Sequence, residues 1–209
     1  MNREHLDPLA PDPARIAAAV AVLRSGGVVA YPTDTLYGLA VDPCNDAAVE
    51  RLFAVKGRDA ASAIALIAAD AAMAEQVAAN GFGPLERRLA AAFWPGPLTI
   101  VVPAARRMAA ALAPRGTLGV RVPAHAVARA LSAAFGECIT ATSANPAGRP
   151  PSVTADDVAA TLDERIDFLV DAGPTTGGPP STVVEVIDAR VTLHRAGAVA
   201  WDRVLESVE

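Results

Sequence analysis

Residues 25–39 constrain the fold most strongly, because they read as a strand that ends in a polar turn. A glycine turn leads into the apolar run 27–31, and Pro32 then interrupts that run. Proline has no amide hydrogen for a strand ladder, so the sequence predicts a strand over 27–31 that ends near Pro32. Two threonines and an aspartate follow at 33–35. Small polar groups just past a strand end lie where open α/β sheets bind ligands, so this turn is a candidate binding site.

The rest of the chain alternates between helical patterns and short apolar runs. Asp12, which precedes a proline, is typical of a helix start, and so are Asn45 and the capping box that Thr154 opens. Two apolar runs, 181–186 and 191–195, read as neighbouring strands. With no internal repeat or linker, this alternation predicts a single α/β domain with a mixed sheet.

The predicted domain occupies residues 12–200. Residues 1–11 read as a loose N-terminal tail, and the acidic segment 201–209 reads as a C-terminal tail with a short helix. No uninterrupted apolar run approaches the roughly 18 residues that span a membrane, and the N-terminus has no apolar signal core. We therefore expect a soluble, cytoplasmic protein with no membrane partner.

The composition excludes several classes of function. The net charge of −5 argues against indiscriminate nucleic-acid binding, although a local basic groove is compatible with it. Cys44 and Cys138 lie far apart in no CxxC pattern, which favours a reducing compartment over a disulfide scaffold. The three histidines have no metal-ligand spacing, so no protein metal site is predicted. Neither a Walker A pattern nor a G-x-G-x-x-G fingerprint occurs, so a nucleotide would have to bind by another mode.

Four cationic side chains stand near predicted strand or helix ends, namely Lys56, Arg58, Arg121 and Arg195. Lysine supplies a compact charge and arginine a two-pronged fork, and both suit phosphate or carboxylate. For the first two, the alternative is that they only offset the dipole of a helix that ends at Gly57. For the other two, the alternative is a solvated surface position. The residues alone leave these choices open.

A cluster of hydroxyl and amide groups follows another predicted strand. The Thr-Ser-Ala-Asn segment at 142–145 can cradle an anion, or it can form an Asx or ST turn before Pro146. It does not match the G-x-S-x-G pattern of a nucleophilic serine. Ser181 is either a site hydroxyl or a turn residue at a strand start. Asp34 reads as a turn cap rather than a Mg²⁺ ligand, and His125 reads as structural.

Seven short segments between residues 16 and 199 occur in a characteristic order and spacing. They are Gly-Gly-Val-Val-Ala-Tyr-Pro-Thr-Asp-Thr-Leu-Tyr-Gly-Leu (26–39), Lys-Gly-Arg (56–58), Trp-Pro-Gly-Pro-Leu-Thr (94–99), Val-Arg-Val-Pro-Ala-His (120–125), Ala-Thr-Ser-Ala-Asn-Pro-Ala-Gly (141–148), Ser-Thr-Val-Val-Glu-Val (181–186) and Arg-Ala-Gly-Ala-Val (195–199). Each is modest alone, but the set resembles the YrdC-like family, the threonylcarbamoyl-AMP synthases, in its short single-domain form.

The resemblance implies a fold and a reaction. The implied fold is a twisted, open, mixed sheet flanked by helices, with a large concave ligand cavity. The implied reaction converts L-threonine, bicarbonate or CO₂, and ATP with Mg²⁺ into threonylcarbamoyl-AMP and pyrophosphate. The product would serve the t6A modification of tRNA beside the anticodon. Separate tRNA threonylcarbamoyl-transfer proteins would be downstream partners, and a direct tRNA contact is a further expectation.

The resemblance also assigns residues to the two substrates. Those expected to bind ATP are Lys56, Arg58, Ser62, Ser143, Asn145 and Arg195. Those expected to bind L-threonine are Thr33, Thr35, Arg121, Ala141 and Ser181. Lys56 and Arg58 are also the expected catalytic residues, because they would face ATP or the carbamate.

The chain departs from the family pattern at two positions. Ala63 stands where the family usually has proline, and Ile67 stands where many members have histidine. Two other functions fit parts of the sequence. One is a non-catalytic module that binds tRNA or double-stranded RNA, and the other is a carbamoyl-adenylate former that uses carbamoyl phosphate.

Overall fold

The apolar run before Pro32 forms strand β2 (Val29–Pro32), as the sequence predicts. A further strand, β3 (Tyr37–Ala40), pairs antiparallel with it, and the polar residues 33–36 form the connecting turn. The computed structural model describes residues 1–57, 64–105 and 108–209. Its β2–β3 hairpin places the predicted site turn at one end of two buried central strands.

The described residues form one ten-stranded mixed sheet, which confirms the expected fold class. Besides β2 and β3, its strands are β1 (Asn2–His5), β4 (Ala65–Ile67), β5 (Leu98–Pro103), β6 (Thr117–Arg121), β7 (Ile139–Ser143), β8 (Phe168–Asp171), β9 (Thr182–Ile187) and β10 (Arg190–Arg195). The order across the sheet is β1-β8-β2-β3-β7-β4-β6-β5-β9-β10. β9 and β10 are neighbours, as predicted, and pair antiparallel, and β1 and β10 are the two edges.

Several helices begin or end at the residues that the sequence marks. The side chain of Asn45 accepts a hydrogen bond from the Ala48 amide at 3.1 Å, and Gly57 ends the same helix with a φ of 60°. Thr154 and Asp157 form the predicted capping box. The helices are α1 (Pro13–Arg24), α2 (Asp46–Lys56), α3 (Ala71–Glu75), α4 (Pro84–Phe93), α5 (Ala126–Phe135), α6 (Ala155–Leu162) and α7 (Trp201–Glu206).

The two faces of the sheet are covered by different helices. Residues of α1 and α5 pack with one apolar cluster that contains Ile67 and Ile139. Residues of α2, α4, α6 and α7 belong to the cluster on the other face. Alternation along each strand then assigns neighbouring side chains to opposite faces. No helix in the described part of the chain is long and apolar enough to cross a membrane.

The N-terminal segment differs from its expectation. Residues 2–5, which the sequence places in a loose tail, form edge strand β1 and pair parallel with β8. The Arg3 guanidinium donates to the buried Asp171 carboxylate at 2.6 and 3.1 Å. This ion pair joins residues 168 positions apart, which is why the short polar segment gives no local signal of a strand.

Candidate active site

A cavity of about 490 Å³ opens on the sheet face that carries α1 and α5. Ile67 and Ala141 show that the cavity and the α1–α5 cluster share this sheet face, because both residues pack with the cluster and also line the cavity. The two helices therefore cover only part of this face, and the cavity occupies the rest. Strands β3 to β7, β9 and β10 all contribute residues to its lining.

Small residues at cavity-facing positions create this space. Gly38, Ala65, Gly119 and Ala141 lie on four adjacent central strands and all line the cavity. A Cβ atom on Gly119 would lie only 2.8 Å from the Thr99 methyl carbon, so a larger residue there would require movement of the lining. Ala141, expected to contact L-threonine, is thus part of the cavity floor.

Arg121 is a buried cation of this cavity, so the surface alternative for it is wrong. Its side chain is 8% exposed, and its Nε donates to the Gly96 carbonyl at 2.9 Å. Nη2 pairs with the Asp34 carboxylate. Asp34 was read as a turn cap, and its carboxylate instead serves as the counter-charge of Arg121. Among the described residues Nη1 has no hydrogen-bond partner, so this end of the fork remains for a ligand.

The two threonines that flank Asp34 are held by the hairpin turn. The Thr33 hydroxyl donates to the Leu36 carbonyl at 2.6 Å and accepts from the Leu36 amide at 3.2 Å. The hydroxyls of Thr33 and Thr35 lie 3.1 Å apart, and both residues line the cavity. The turn therefore presents hydroxyl groups beside the Arg121 fork.

Arg195 holds Ser181 at the other side of the cavity. Its Nε and Nη2 donate to the Ser181 carbonyl at 3.2 and 2.9 Å, and Nη2 also lies 3.1 Å from the Ser181 hydroxyl. That hydroxyl is 2.8 Å from the hydroxyl of Thr99, a cavity residue that the sequence did not single out. Partial burial lowers the pKa of Arg195, and the positive charge of Arg121 lowers it further. The positive charges of the two arginines therefore both act within this cavity.

A β-bulge explains how Arg195 faces the cavity. Leu193 pairs with Val184, but Arg195 pairs with Val183, so His194 is an extra residue on β10. Leu193 and Val184 belong to the opposite face, where they pack with the helix-covered core. Without the extra residue Arg195 would share that face. The bulge therefore turns Arg195 into the cavity, where His194 also lies.

Lys56 organises the turn at the end of β7. Its buried ammonium donates to the Ser143 carbonyl, to the Ser143 hydroxyl at 3.2 Å and to the Asn145 side-chain oxygen at 3.1 Å. The Asn145 side-chain nitrogen donates to the Pro146 and Arg149 carbonyls. Ser143 and Asn145 line the cavity, whereas Lys56 lies beneath the turn. ATP contacts by these three residues stay predictions.

The other residues that the sequence brings into question either are not described by the structure or do not line the cavity. Arg58, Ser62 and Ala63 lie outside the described residues. Thr182 is fully buried and exchanges hydrogen bonds with the Val199 backbone, so it has a structural role. His125 does not line the cavity. Burial lowers the pKa of its imidazole, and its Nδ1 has no hydrogen-bond partner in the part of the chain that the structure describes.

The cavity is suited to binding and orienting anionic ligands rather than to attacking them with a protein nucleophile. Two guanidinium groups and several hydroxyls line it, and no aspartate or glutamate is among its described lining residues. Preorganised donors of this kind stabilise negative charge most effectively where water is excluded. The described residues also contain no group of three potential His, Cys, Asp or Glu metal ligands.

Comparison with protein families gives this geometry a context. Residues 21–197 match the sequence model of the Sua5/YciO/YrdC family, whose description is "Telomere recombination". The chain belongs to this family. The match confirms the family resemblance that the seven sequence segments carry, and it includes all the described cavity-lining residues, from Thr33 to Arg195.

Individual relatives carry more specific names. The chain is 44% identical over 184 residues to the threonylcarbamoyl-AMP synthase of Chromohalobacter salexigens, covering 87% of this chain and 97% of that protein. It is 37% identical over 204 residues to the threonylcarbamoyl-AMP synthase of Bacillus subtilis, covering 95% of this chain. The fold matches the crystal structure of P. abyssi Sua5 complexed with L-threonine at a TM-score of 0.93, with 31% identity over 99% of this chain.

These relatives differ in length. The chain spans 58% of the B. subtilis protein and 61% of the P. abyssi Sua5 chain. It spans nearly all of the C. salexigens protein.

Proposed function

We propose that this protein is an L-threonylcarbamoyladenylate synthase, which converts L-threonine, bicarbonate or CO₂, and ATP into threonylcarbamoyl-AMP and pyrophosphate. The observation that carries the proposal is one cavity in which the forks of Arg121 and Arg195 converge with hydroxyl groups. The extensive similarity to the C. salexigens synthase supports the same reaction.

The chemistry needs positioning more than a protein nucleophile. The amine of L-threonine attacks CO₂ and loses a proton, which gives a carbamate. A carbamate oxygen then attacks the α-phosphorus of ATP, and the bond from that phosphorus to the bridging oxygen breaks as pyrophosphate leaves. Alignment of two bound substrates and stabilisation of the phosphate charge by cations supply most of the rate enhancement in such reactions.

In this proposal the L-threonine subsite lies beside Arg121. Nη1 of Arg121 binds the substrate carboxylate, while Gly96 and Asp34 hold the other edge of the guanidinium. Thr33 and Thr35 offer hydroxyls from the adjacent turn. Ser181 lies on the other side with Ala141 on the floor, so an amino acid can be held between them.

ATP occupies the remaining part of the cavity. Arg195, Ser143 and Asn145 line that part, with Lys56 beneath the turn. Arg58 and Ser62 are proposed contacts on the basis of the family resemblance. Phosphate oxygens and hydroxyls are the hard ligands that Mg²⁺ prefers, so the ion would enter as part of the MgATP substrate.

The product defines the cellular context. An activated threonylcarbamoyl adenylate requires an acceptor, and we propose that separate transfer proteins deliver it to tRNA for t6A modification in the cytoplasm. A direct contact of this chain with tRNA belongs to the same proposal.

Pyrophosphate release tests the proposed function. Purified protein is incubated with ATP and Mg²⁺, with L-threonine and bicarbonate present together, singly or not at all. Release that requires both is the expected result. If the protein binds ATP but release does not depend on L-threonine, the proposal is wrong. Salt-dependent RNA binding without ATP turnover would instead favour the RNA-binding alternative.

A further inference from the structure

The β-bulge brings a second pair of side chains to the rim of the cavity. His194 Nε2 lies 2.6 Å from Glu185 Oε2, across β10 and β9. Glu185 lies two residues from Val183, which lines the cavity, so the two share a sheet face. Neither side chain is fully buried, since the His194 and Glu185 side chains are 46% and 19% exposed.

The hydrogen bond fixes what this pair offers to a ligand. An ionised carboxylate can only accept, so the proton of the shared hydrogen bond is on Nε2 of His194. Nδ1 accepts a hydrogen bond when the imidazole is neutral and donates one when it is protonated. Glu185 keeps further acceptor capacity on its second oxygen, for which the described residues provide no hydrogen-bond partner. The pair therefore presents a carboxylate oxygen that accepts and an imidazole nitrogen that can pair with a hydroxyl group in either state.

A free carboxylate oxygen beside an imidazole nitrogen favours hydroxyl groups over phosphate. A phosphate beside Glu185 would meet like charge, whereas a hydroxyl group can donate to the carboxylate and can either donate to or accept from Nδ1. Arg195, the neighbouring residue on the same bulge, is a cation that can bind the phosphates. A nucleotide bound with its phosphates at Arg195 would carry its sugar one unit further along the cavity.

We propose that His194 and Glu185 bind the ribose hydroxyls of the nucleotide. The vicinal 2′ and 3′ hydroxyls can pair with the free carboxylate oxygen and with Nδ1, and an acidic side chain on a ribose hydroxyl is a recurring solution in nucleotide-binding proteins. This assignment rests on the proposed function, because it requires ATP in the cavity. It makes the pair a determinant of ribonucleotide specificity.

Calorimetric titration with ATP, 2′-deoxy-ATP and 3′-deoxy-ATP tests the assignment. The wild type should bind ATP about tenfold more tightly than at least one deoxynucleotide, as expected for a hydrogen bond to a charged acceptor. His194→Leu and Glu185→Gln should bind ATP at the level of that deoxynucleotide and show a ratio near one. His5→Leu is a matched control. His5 lies on β1, the edge strand opposite β10, and its Nε2 also lies close to a carboxylate, 3.2 Å from Asp171 Oδ2. It should keep the wild-type ratio.

The outcomes separate this inference from the proposed function. If the wild type binds all three nucleotides equally, or if His194→Leu and Glu185→Gln both keep the wild-type ratio, the ribose assignment is wrong and the proposed function stands. If the variants weaken all three nucleotides equally, the pair contacts the base or phosphates instead, which also overturns it. A wild type that binds no ATP would overturn both.

Discussion

The Asp34 carboxylate should stabilise the folded protein through Arg121. Their side chains are only 14% and 8% exposed, so Asp34→Ala would leave a buried guanidinium without its counter-charge. Breaking a fully enclosed pair costs about 3–5 kcal/mol. Here Arg121 also borders an open cavity and keeps its bond to Gly96, so the loss should resemble that of one charged hydrogen bond, about 1.5–3 kcal/mol.

A double-mutant cycle measures this interaction. Urea unfolding is compared for the wild type, Asp34→Ala, Arg121→Met and the double variant. Once Arg121 is replaced, the further loss of Asp34 should cost little. The destabilisation of the double variant should therefore be smaller than the sum of the two single destabilisations by at least about 1 kcal/mol. In thermal unfolding, each kcal/mol should lower Tm by about 2–4 °C for a chain of this size.

Glu50→Ala is the matched control for loss of a carboxylate. Glu50 is exposed on α2 and has no ion pair within the described residues. Its replacement should change stability by less than about 0.5 kcal/mol. If Asp34→Ala is equally mild, or if the single effects simply add, then Asp34 does not hold Arg121 and the explanation is refuted.

Three further predictions follow from individual contacts. Burial raises the pKa of Asp171, but hydrogen bonds from Arg3 and Gly173 outweigh this effect, so the pKa is lowered overall. The ionised Asp171 therefore stabilises the folded protein fully above its unfolded-state pKa of about 3.9, and this stabilisation is lost as the pH falls through the lower folded-state pKa. Urea midpoints between pH 5 and 2 should show a smaller acid-induced loss in Arg3→Ala; an unchanged loss would contradict this. A Cβ on Gly197 would lie 2.2 Å from the Pro180 carbonyl oxygen, so Gly197→Ala should displace the neighbouring Ser181. Urea unfolding should show a loss of about 1–3 kcal/mol or more, and wild-type stability would contradict this prediction. Arg121→Ala should raise KM for L-threonine more than KM for ATP; an equal rise would remove its role as carboxylate anchor.

Local signals in the sequence predicted most elements correctly. Asn45 and Gly57 bracket α2 because capping depends only on adjacent backbone groups. The capping box at Thr154 is equally local. The turn after Pro32 was predicted as a site for the same reason, since the strand ends where proline removes a donor. Its threonines line the cavity.

Other features depend on contacts between distant residues, and the sequence could not reveal them. Asp34 and Arg121 are 87 positions apart, so nothing near Asp34 indicates its partner. The bulge at His194 depends on the pairing of β9 with β10, and only that pairing determines which face Arg195 occupies. Thr99 carried one usable signal, because a polar residue in an apolar strand often faces a site. Its contact with Ser181 nevertheless required the sheet order.

Product analysis with ¹³C-bicarbonate tests the central claim most directly. The purified protein is incubated with ATP, Mg²⁺, L-threonine and either labelled or unlabelled bicarbonate, and the nucleotides are analysed by mass spectrometry. The expected product has the mass of threonylcarbamoyl-AMP, shifts by one carbon isotope with the label, and is absent without L-threonine. AMP or ADP as the sole nucleotide product, or an adenylate that carries no label, would contradict the account.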